Sequence, residues 1–318
     1  MYVEFLISMF AAYLLDMVFA DPFNIPHPVV YMGKLISFLE KRIRKPGDSE
    51  KTQFLKGCMA SLIVIAACAL PGILIMYIKI KAIRMALMII VFFFCLAGET
   101  LKREALSVNK ALGISLTEGR KRISRIVGRD PMSLDKDGII RACIETVAEN
   151  TSDGITAPMF WGLLLGPMGS LIYKGINTMD SMTGYRNERY EFYGKSAAIE
   201  DDIANIIPAR ITALTAVLLS PAVGGRIRNT MGIYLADSKN HRSPNSGHPE
   251  SAFAGALGIR LGGPASYGGI REERPYINGE GKKPSEADII RAVKLMEWIT
   301  PSFLMFSAVI IIIFNRIF

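Results

Sequence analysis

The sequence predicts an all-α, polytopic integral membrane protein with about four to six hydrophobic helices. Three observations carry this reading. Half of the 318 residues are hydrophobic (50%), and mean hydropathy is +0.29. The apolar residues gather into runs near the roughly 20 residues that a helix needs to cross a bilayer. The polar stretches between the runs place carboxylates, amides and hydroxyls at the run ends.

Taken in order, residues 1–20 are apolar but carry Glu4 and Asp16. They lack the positive start of a signal peptide and read as a retained first helix. Residues 21–36 (DPFNIPHPVVYMGKLI) open a polar loop that runs to 53. Pro22, Pro26 and Pro28 argue against regular helix there and hold His27 extended. Residues 54–78 and 82–98 are hydrophobic spans, interrupted only by Lys56 and Arg84 respectively. Residues 99–127 read as helical segments separated near Gly113, with Thr117 as an N-cap. Asp130-Pro131 is a break. Residues 137–150 place Ile140, Ile144 and Val147 at helical spacing, and Thr151-Ser152-Asp153-Gly154 is expected to stop that helix. Residues 155–176 are a sixth, weaker span or a re-entrant segment, and residues 203–223 are a span carrying Arg210. Pro208 is expected in the first turns of that helix or as its breaker. Residues 264–284 read as an exposed loop or short hairpin. Residues 285–297 are a capped helix opening on Ser285, and residues 298–318 are a closing span. The whole reads as one membrane-embedded domain: three hydrophobic helices in 1–98, a motif-bearing region in 99–297, and a last helix in 298–318.

Composition also excludes. Cys58, Cys68, Cys95 and Cys143 form no CxxC pair, and three of them lie in apolar runs, which argues against a disulfide or zinc framework. The net charge of +8 comes from 37 Lys and Arg against 29 Asp and Glu. Its densest clusters, KRIRK (41–45) and RKRISR (120–125), suit loops that orient a membrane protein. The same field favours a phosphate-bearing substrate. No aromatic-interleaved basic patch points to nucleic acid. Taking the short loop at 79–84 as the outer hairpin places 21–53 and 99–154 in the cytoplasm, so the expected location is the cell membrane with the active site facing the cytoplasm.

Five stretches hold polar side chains with no evident folding purpose. Asp21 and His27 stand at the end of the first helix. In ETVAENTSDGITAPMFW (145–161), Glu145 and Glu149 are i,i+4 on one helix face, where like charges repel unless a cation lies between them or water solvates them. Asn150 and Asp153 follow, and such oxygen-rich groups suit Mg²⁺ or a substrate amine. In 174–190, Asn177, Asp180 and Ser181 share a helix face, with Lys174 one turn earlier. In 200–210, Asn205 follows Asp201 at i,i+4 and Asp202 at i,i+3, and Arg210 needs a carboxylate or phosphate partner inside an apolar run. In 237–263, His241, Ser243, Asn245, Ser246 and His248 precede Pro249 at helix position N1 and Glu250 in the first turn, a plausible anion site at a helix N-terminus. There is no Walker A loop and no GxGxxG fingerprint. Together the five point to an enzyme that handles phosphate with Mg²⁺.

In order along residues 1–310, DPxxxPHPVxxMG, ETVAENTSDGxxAPxFW, NTMDSMxGY, DDxxNxxPARxTA and DSxxHxSPNSGxPExAxAGALGxxLGG resemble the adenosylcobinamide-phosphate synthase family (CobD/CbiB) of cobalamin biosynthesis. The basic loops at 41–53 and 271–283 look individual, and nothing is carried over to them. The resemblance implies a membrane enzyme that joins a carboxylate of adenosylcobyric acid to (R)-1-aminopropan-2-ol O-phosphate, consuming ATP, to give adenosylcobinamide phosphate. A carboxylate does not readily form an amide at neutral pH because its oxygen leaves poorly. An acyl phosphate made from ATP overcomes this, and such a scheme calls for Mg²⁺, cationic clamps for phosphate and a base for the ammonium.

On that basis Glu145, Glu149, Asp180 and His241 are expected to be catalytic, and Glu149, Asp153, Asp180, Asp201 and Asp202 to hold the metal. Asn150, Asn177 and Asn205 would orient groups. Lys174, Arg210, Ser243, Asn245, Ser246, His248 and Glu250 would hold substrate, with Asp21 and His27 beside them. The expected partners are the corrinoid, aminopropanol phosphate, ATP and membrane lipid, with self-association or association with other corrin-pathway enzymes. A Mg²⁺-dependent prenyltransferase is disfavoured by the lack of paired NxxxDxxxD motifs. A corrinoid transporter is disfavoured by the lack of an internal repeat.

Overall fold

The computed structural model describes residues 1–20, 27–45, 47–185, 187–267 and 269–317. Asp21 therefore lies outside the described residues. In chain order the helices are α1 (Tyr2–Phe19), α2 (Pro28–Ile43), α3 (Glu50–Met76), α4 (Lys81–Cys95), α5 (Gly98–Leu112), α6 (Leu116–Ile123), α7 (Lys136–Thr151), α8 (Ala157–Leu165), α9 (Pro167–Thr183), α10 (Lys195–Leu219), α11 (Ile227–Asp237), α12 (Gly247–Leu257) and α13 (Glu286–Ile317). Four short strands, β1 (Leu261–Gly262), β2 (Ala265–Tyr267), β3 (Ile270–Glu272) and β4 (Tyr276–Ile277), pair antiparallel as β1–β4 and β2–β3.

Among the described residues, five helical segments are long and apolar enough to cross a membrane: Tyr2–Phe19, Glu50–Met76, Lys81–Leu112, Lys195–Val223 and Glu286–Ile313. They match the five expected runs, four of them with longer bounds. The backbone forms two compact units, one of residues 1–97, 157–205 and 307–318, the other of residues 98–156 and 206–306.

In the first unit, α3 packs on α9 and α1 on α4. The α3–α9 contact is backbone-close. A Cβ added to Gly72 would lie 2.4 Å from the Met168 backbone, the kind of approach by which small residues join helices in lipid. The charges that interrupt the first runs find partners. Arg84 donates to Glu4 Oε2 at 2.9 Å and to the Ile78 carbonyl at 3.0 Å, and Lys56 meets Asp48 at 2.6 Å.

Several expectations are corrected. The polar loop after α1 contains a helix, because Pro28 sits at N1, where a missing N–H costs nothing. His27 is its extended N-cap and accepts the Val29 N–H on Nδ1 at 3.2 Å. Met32, Ile36 and Leu39 then bury one face. Ser115 rather than Thr117 caps α6, accepting the Glu118 N–H at 3.1 Å. α7 ends at Thr151 as expected, but the chain does not leave helical structure there, since a π-helical turn over Ser152–Thr156 leads into α8. Residues 155–176 are not one span. They divide at Gly166-Pro167 into α8 and α9, of 9 and 17 residues, which pack on each other. Pro208 lies inside α10, neither in its first turns nor as a break, and Pro301 lies inside α13, which runs unbroken through both the predicted capped helix and the closing span. Asp288 Oδ2 accepts the Ser285 N–H and Oγ–H at 2.8 and 2.7 Å and secures that start. Residues 264–284 hold the β2–β3 hairpin and β4.

Gly72→Leu should overpack the α3–α9 contact and destabilise by about 1–3 kcal/mol or more. The check is the thermal unfolding midpoint of the detergent-solubilised protein, which is expected to fall, whereas substitution at the lipid-exposed Leu74 leaves it unchanged.

Candidate acid–base site

The second unit is built around α7. Asp135 caps it by accepting the Gly138 N–H at 2.7 Å, and α5, α6, α12 and β1 pack on it. This surround buries most of α7, including Glu145, which is 4% exposed. A carboxylate so placed must be paired and hydrogen-bonded. Glu145 is both. The Arg129 guanidinium bonds its Oε2, and the Gly262 N–H donates to its Oε1 at 2.7 Å. Gly262 has φ 69°, and a Cβ there would meet the Pro275 carbonyl at 2.6 Å, so glycine is what lets the strand present this N–H.

One turn on, Glu149 Oε1 accepts from Ser246 Oγ at 2.8 Å. Ser246 precedes α12, which starts at Gly247, so Pro249 is the third helical residue and not the first, as expected from the sequence. The buried Glu250 follows on that helix, with Oε1 3.7 Å from His241 Nε2. Burial pushes the Glu250 carboxyl well above the usual carboxylate range, and Glu145 and Glu149 push the same way. Burial and the neighbouring Arg274 depress His241, so it is neutral. Arg274 bonds His241 Nε2. A guanidinium can only donate, so Nε2 accepts from it, and Nδ1 is approached by the Ser243 N–H at 3.0 Å. A carboxyl whose hold on a proton is strengthened thus lies beside an imidazole whose hold is weakened, the pairing from which acid and base roles are read.

A second group in this unit is basic. Arg210 donates to the Ile206 carbonyl at 2.6 Å and to Asn245 Oδ1 at 3.4 Å, and Ser243 Oγ accepts the Asn245 and Ser246 N–H groups, each at 3.2 Å. His248 Nδ1 lies 3.1 Å from Tyr234 Oη. Burial, with Arg210 and Lys239 nearby, pushes His248 down to about 4. Asn150 turns back on its own helix, donating to the Thr146 carbonyl at 3.0 Å, and Asp153 lies in the π-helical turn.

The remaining predicted residues belong to the first unit. Asp201 accepts from the Asn177 amide at 3.2 Å and from the Asn205 amide at 3.0 Å, and Asn205 Oδ1 accepts from Tyr173 Oη at 2.9 Å. Asp202 is on the same helix, and Lys174 and Asp180 are on α9. His27 packs edge-on against Phe94 at 5.3 Å. The predicted metal set is therefore divided, with Glu149 and Asp153 in one unit and Asp180, Asp201 and Asp202 in the other. Among the described residues no group of three or more His, Cys, Asp or Glu is placed to hold a metal ion. Arg129, Arg274, Tyr173 and Tyr234 were not among the expected site residues. Arg129 sits in a stretch whose Asp130-Pro131 read only as a break, and Arg274 lies in a loop to which the motifs do not extend.

A helical protein with five membrane-crossing-length segments among its described residues is, by class, a polytopic membrane protein. The family model described as CobD/Cbib protein matches residues 9–296. A cobalamin biosynthesis protein CobD of Pelobacter propionicus is 44% identical over 270 residues, covering 84% of this chain and 83% of that one. Those of Clostridium tetani (42% over 294 residues, 92% and 93% covered) and Brucella suis (42% over 306 residues, 93% and 94%) are similar along nearly their whole length. No solved structure matches. The chain belongs to the CobD/CbiB family.

The depressed His248 makes a pH prediction. Its neutral form is favoured on folding, so its contribution is present above about pH 6.5 and lost as pH falls through 6.5 toward about 4. Thermal unfolding at pH 7.5 and pH 5 should show a smaller acid loss for His248→Gln than for the wild type. An equal loss would contradict the assignment.

Proposed function

We propose that this chain acts in cobalamin biosynthesis as an adenosylcobinamide-phosphate synthase of the cell membrane, with its acid–base site facing the cytoplasm, where ATP is available. The carboxylate of adenosylcobyric acid attacks the γ-phosphorus of ATP, giving an acyl phosphate and ADP. The amine of (R)-1-aminopropan-2-ol O-phosphate then attacks the acyl carbon, the C–N bond forms, inorganic phosphate leaves, and the ammonium proton passes to a base. Mg²⁺ enters as the cation of the nucleotide substrate. The carboxylates fit that reading, since Glu145 is met by a guanidinium and a backbone N–H, and Asp201 by two side-chain amides.

The observation that carries the proposal is the group formed by the buried Glu250 with the half-buried Glu149, His241 and Arg274. Glu149 attracts the substrate ammonium. Arg274, by exchanging His241 for a phosphate oxygen, frees Nε2 to take the proton. Glu250, neutral, donates a hydrogen bond where oxyanion charge develops. Arg210 supplies a cationic donor for phosphate, oriented by Asn245 Oδ1 in the loop that Ser243 Oγ braces before α12. Glu145 acts as a positioning residue in this scheme. The first unit's Asp201 group, with Lys174, Asp180 and Asp202, is assigned to binding of substrate or nucleotide-borne Mg²⁺.

The test is synthesis by the purified full chain in detergent, given adenosylcobyric acid, ATP–Mg²⁺ and the amino-alcohol phosphate. Amide product with stoichiometric ADP is expected. Glu149→Gln and His241→Ala should each lower kcat about 10²-fold or more while the protein stays folded. In sealed vesicles, added ATP should serve only the inverted orientation. Corrinoid binding without turnover, or full activity of Glu149→Gln, would overturn the proposal.

A further inference from the structure

The second unit contains a cavity of about 410 Å³ that none of the predicted site residues lines. This is within the size range of small-molecule sites. Its walls are the start of α7, with Asp137 and Arg141, and the segment from Arg260 through Ser266, with Tyr276 and Lys283. Both walls are held in place. The Arg120 side chain donates to the Leu134 carbonyl at 2.8 Å, and the Asp130 N–H donates to the Ser266 carbonyl at 2.9 Å.

The charges in the cavity do not cancel. Asp135 is occupied in capping α7, and Asp137 lies 3.6 Å from Lys283. Two guanidinium groups are then left facing one space. Arg260 lies over the Tyr276 ring, 4.5 Å from its centroid, which fixes the plane of its donors without using them. Arg141 has a buried Nε that meets no acceptor among the described residues. A buried donor without an acceptor is costly, and planar forks of this kind match the oxygens of a phosphate. The same two segments also lead to the acid–base centre. Arg141 is one helical turn before Glu145 on α7, about 6 Å along the axis, and Arg260 is two residues before Gly262, whose N–H binds Glu145.

We infer that this cavity is a phosphate-binding site in which Arg141 and Arg260 together hold one phosphate group of a small-molecule substrate. The phosphate could belong to a nucleotide or to a phosphorylated amino alcohol. The choice of these two probes rests on the proposed synthase reading, whereas the phosphate chemistry rests on the cavity alone.

The experiment is equilibrium binding to the full-length protein in detergent of three probes: a non-hydrolysable ATP analogue with Mg²⁺, 1-aminopropan-2-ol O-phosphate, and inorganic pyrophosphate. Wild type is compared with Arg141→Gln, Arg260→Gln and Arg260→Lys. Gel filtration and circular dichroism establish that each variant is folded. Loss of charge-assisted hydrogen bonds should weaken at least one probe by about 10- to 100-fold in the Gln variants. Arg260→Lys, which keeps charge but not the fork, should fall between. The probe that weakens identifies the source of the phosphate. Wild-type affinity for every probe in both folded Gln variants overturns the inference, as does failure of the wild-type protein to bind any of the three. Arginine-dependent binding without amide synthesis would sink the synthase reading and leave the site standing.

Discussion

The second unit depends on one buried ion pair. Arg129 and Glu145 are 11% and 5% exposed at the side chain, and the Gly262 N–H takes the other carboxylate oxygen. Three segments distant in sequence thereby meet: the turn after α6, the centre of α7 and the strand β1. Burying two charges is expensive, and a pair of this kind contributes little over an apolar replacement. Removing one partner, however, leaves a stranded charge and costs several kcal/mol. The pair therefore acts as a register device. It holds α7 in one rotation and fixes where Arg141 points one turn earlier and Glu149 one turn later.

That register explains the chemistry on either side. Toward the C-terminus of α7, Glu149 meets Ser246 at the start of α12, and near it burial raises the Glu250 carboxyl and lowers the His241 imidazole because it penalises the charged form of each. Toward its N-terminus, Arg141 faces a polar cavity. The first unit solves a different problem. Its helices are apolar over long runs, and two carboxylates on them are met by near neighbours: Glu4 by Arg84, and Asp201 by the amides of Asn177 and Asn205. Its α3–α9 contact uses the absence of a side chain, at Gly72.

Much of this was legible in the sequence. Runs of apolar residues report membrane-length helices directly, because lipid leaves few alternatives, and the five segments follow. The i,i+4 pairs Glu145/Glu149 and Asp201/Asn205 lie on the faces that helical geometry gives them, and the second is a hydrogen bond. What was not legible depends on tertiary partners. Thr151–Gly154 looks like a stop because each residue is a poor helix former, yet Thr151 Oγ1 bonds the Val147 carbonyl and the chain continues through a π-helical turn. α2 was hidden by its prolines and basic charge, although Met32, Ile36 and Leu39 carry a helical stripe. Arg129 and Arg274 could not be found from spacing, since the carboxylate and imidazole they meet are 16 and 33 residues away. Arg141 could have been, as the residue one turn before Glu145.

The central claim is that Glu145 positions the site through Arg129. A double-mutant cycle on the full chain in detergent tests it most directly, comparing Arg129→Met, Glu145→Gln and the double variant by thermal unfolding. The account predicts that each single change is strongly destabilising, by about 3–5 kcal/mol, and that the double variant unfolds at a higher temperature than either single one. Additive losses, or a Glu145→Gln protein as stable as the wild type, would contradict it.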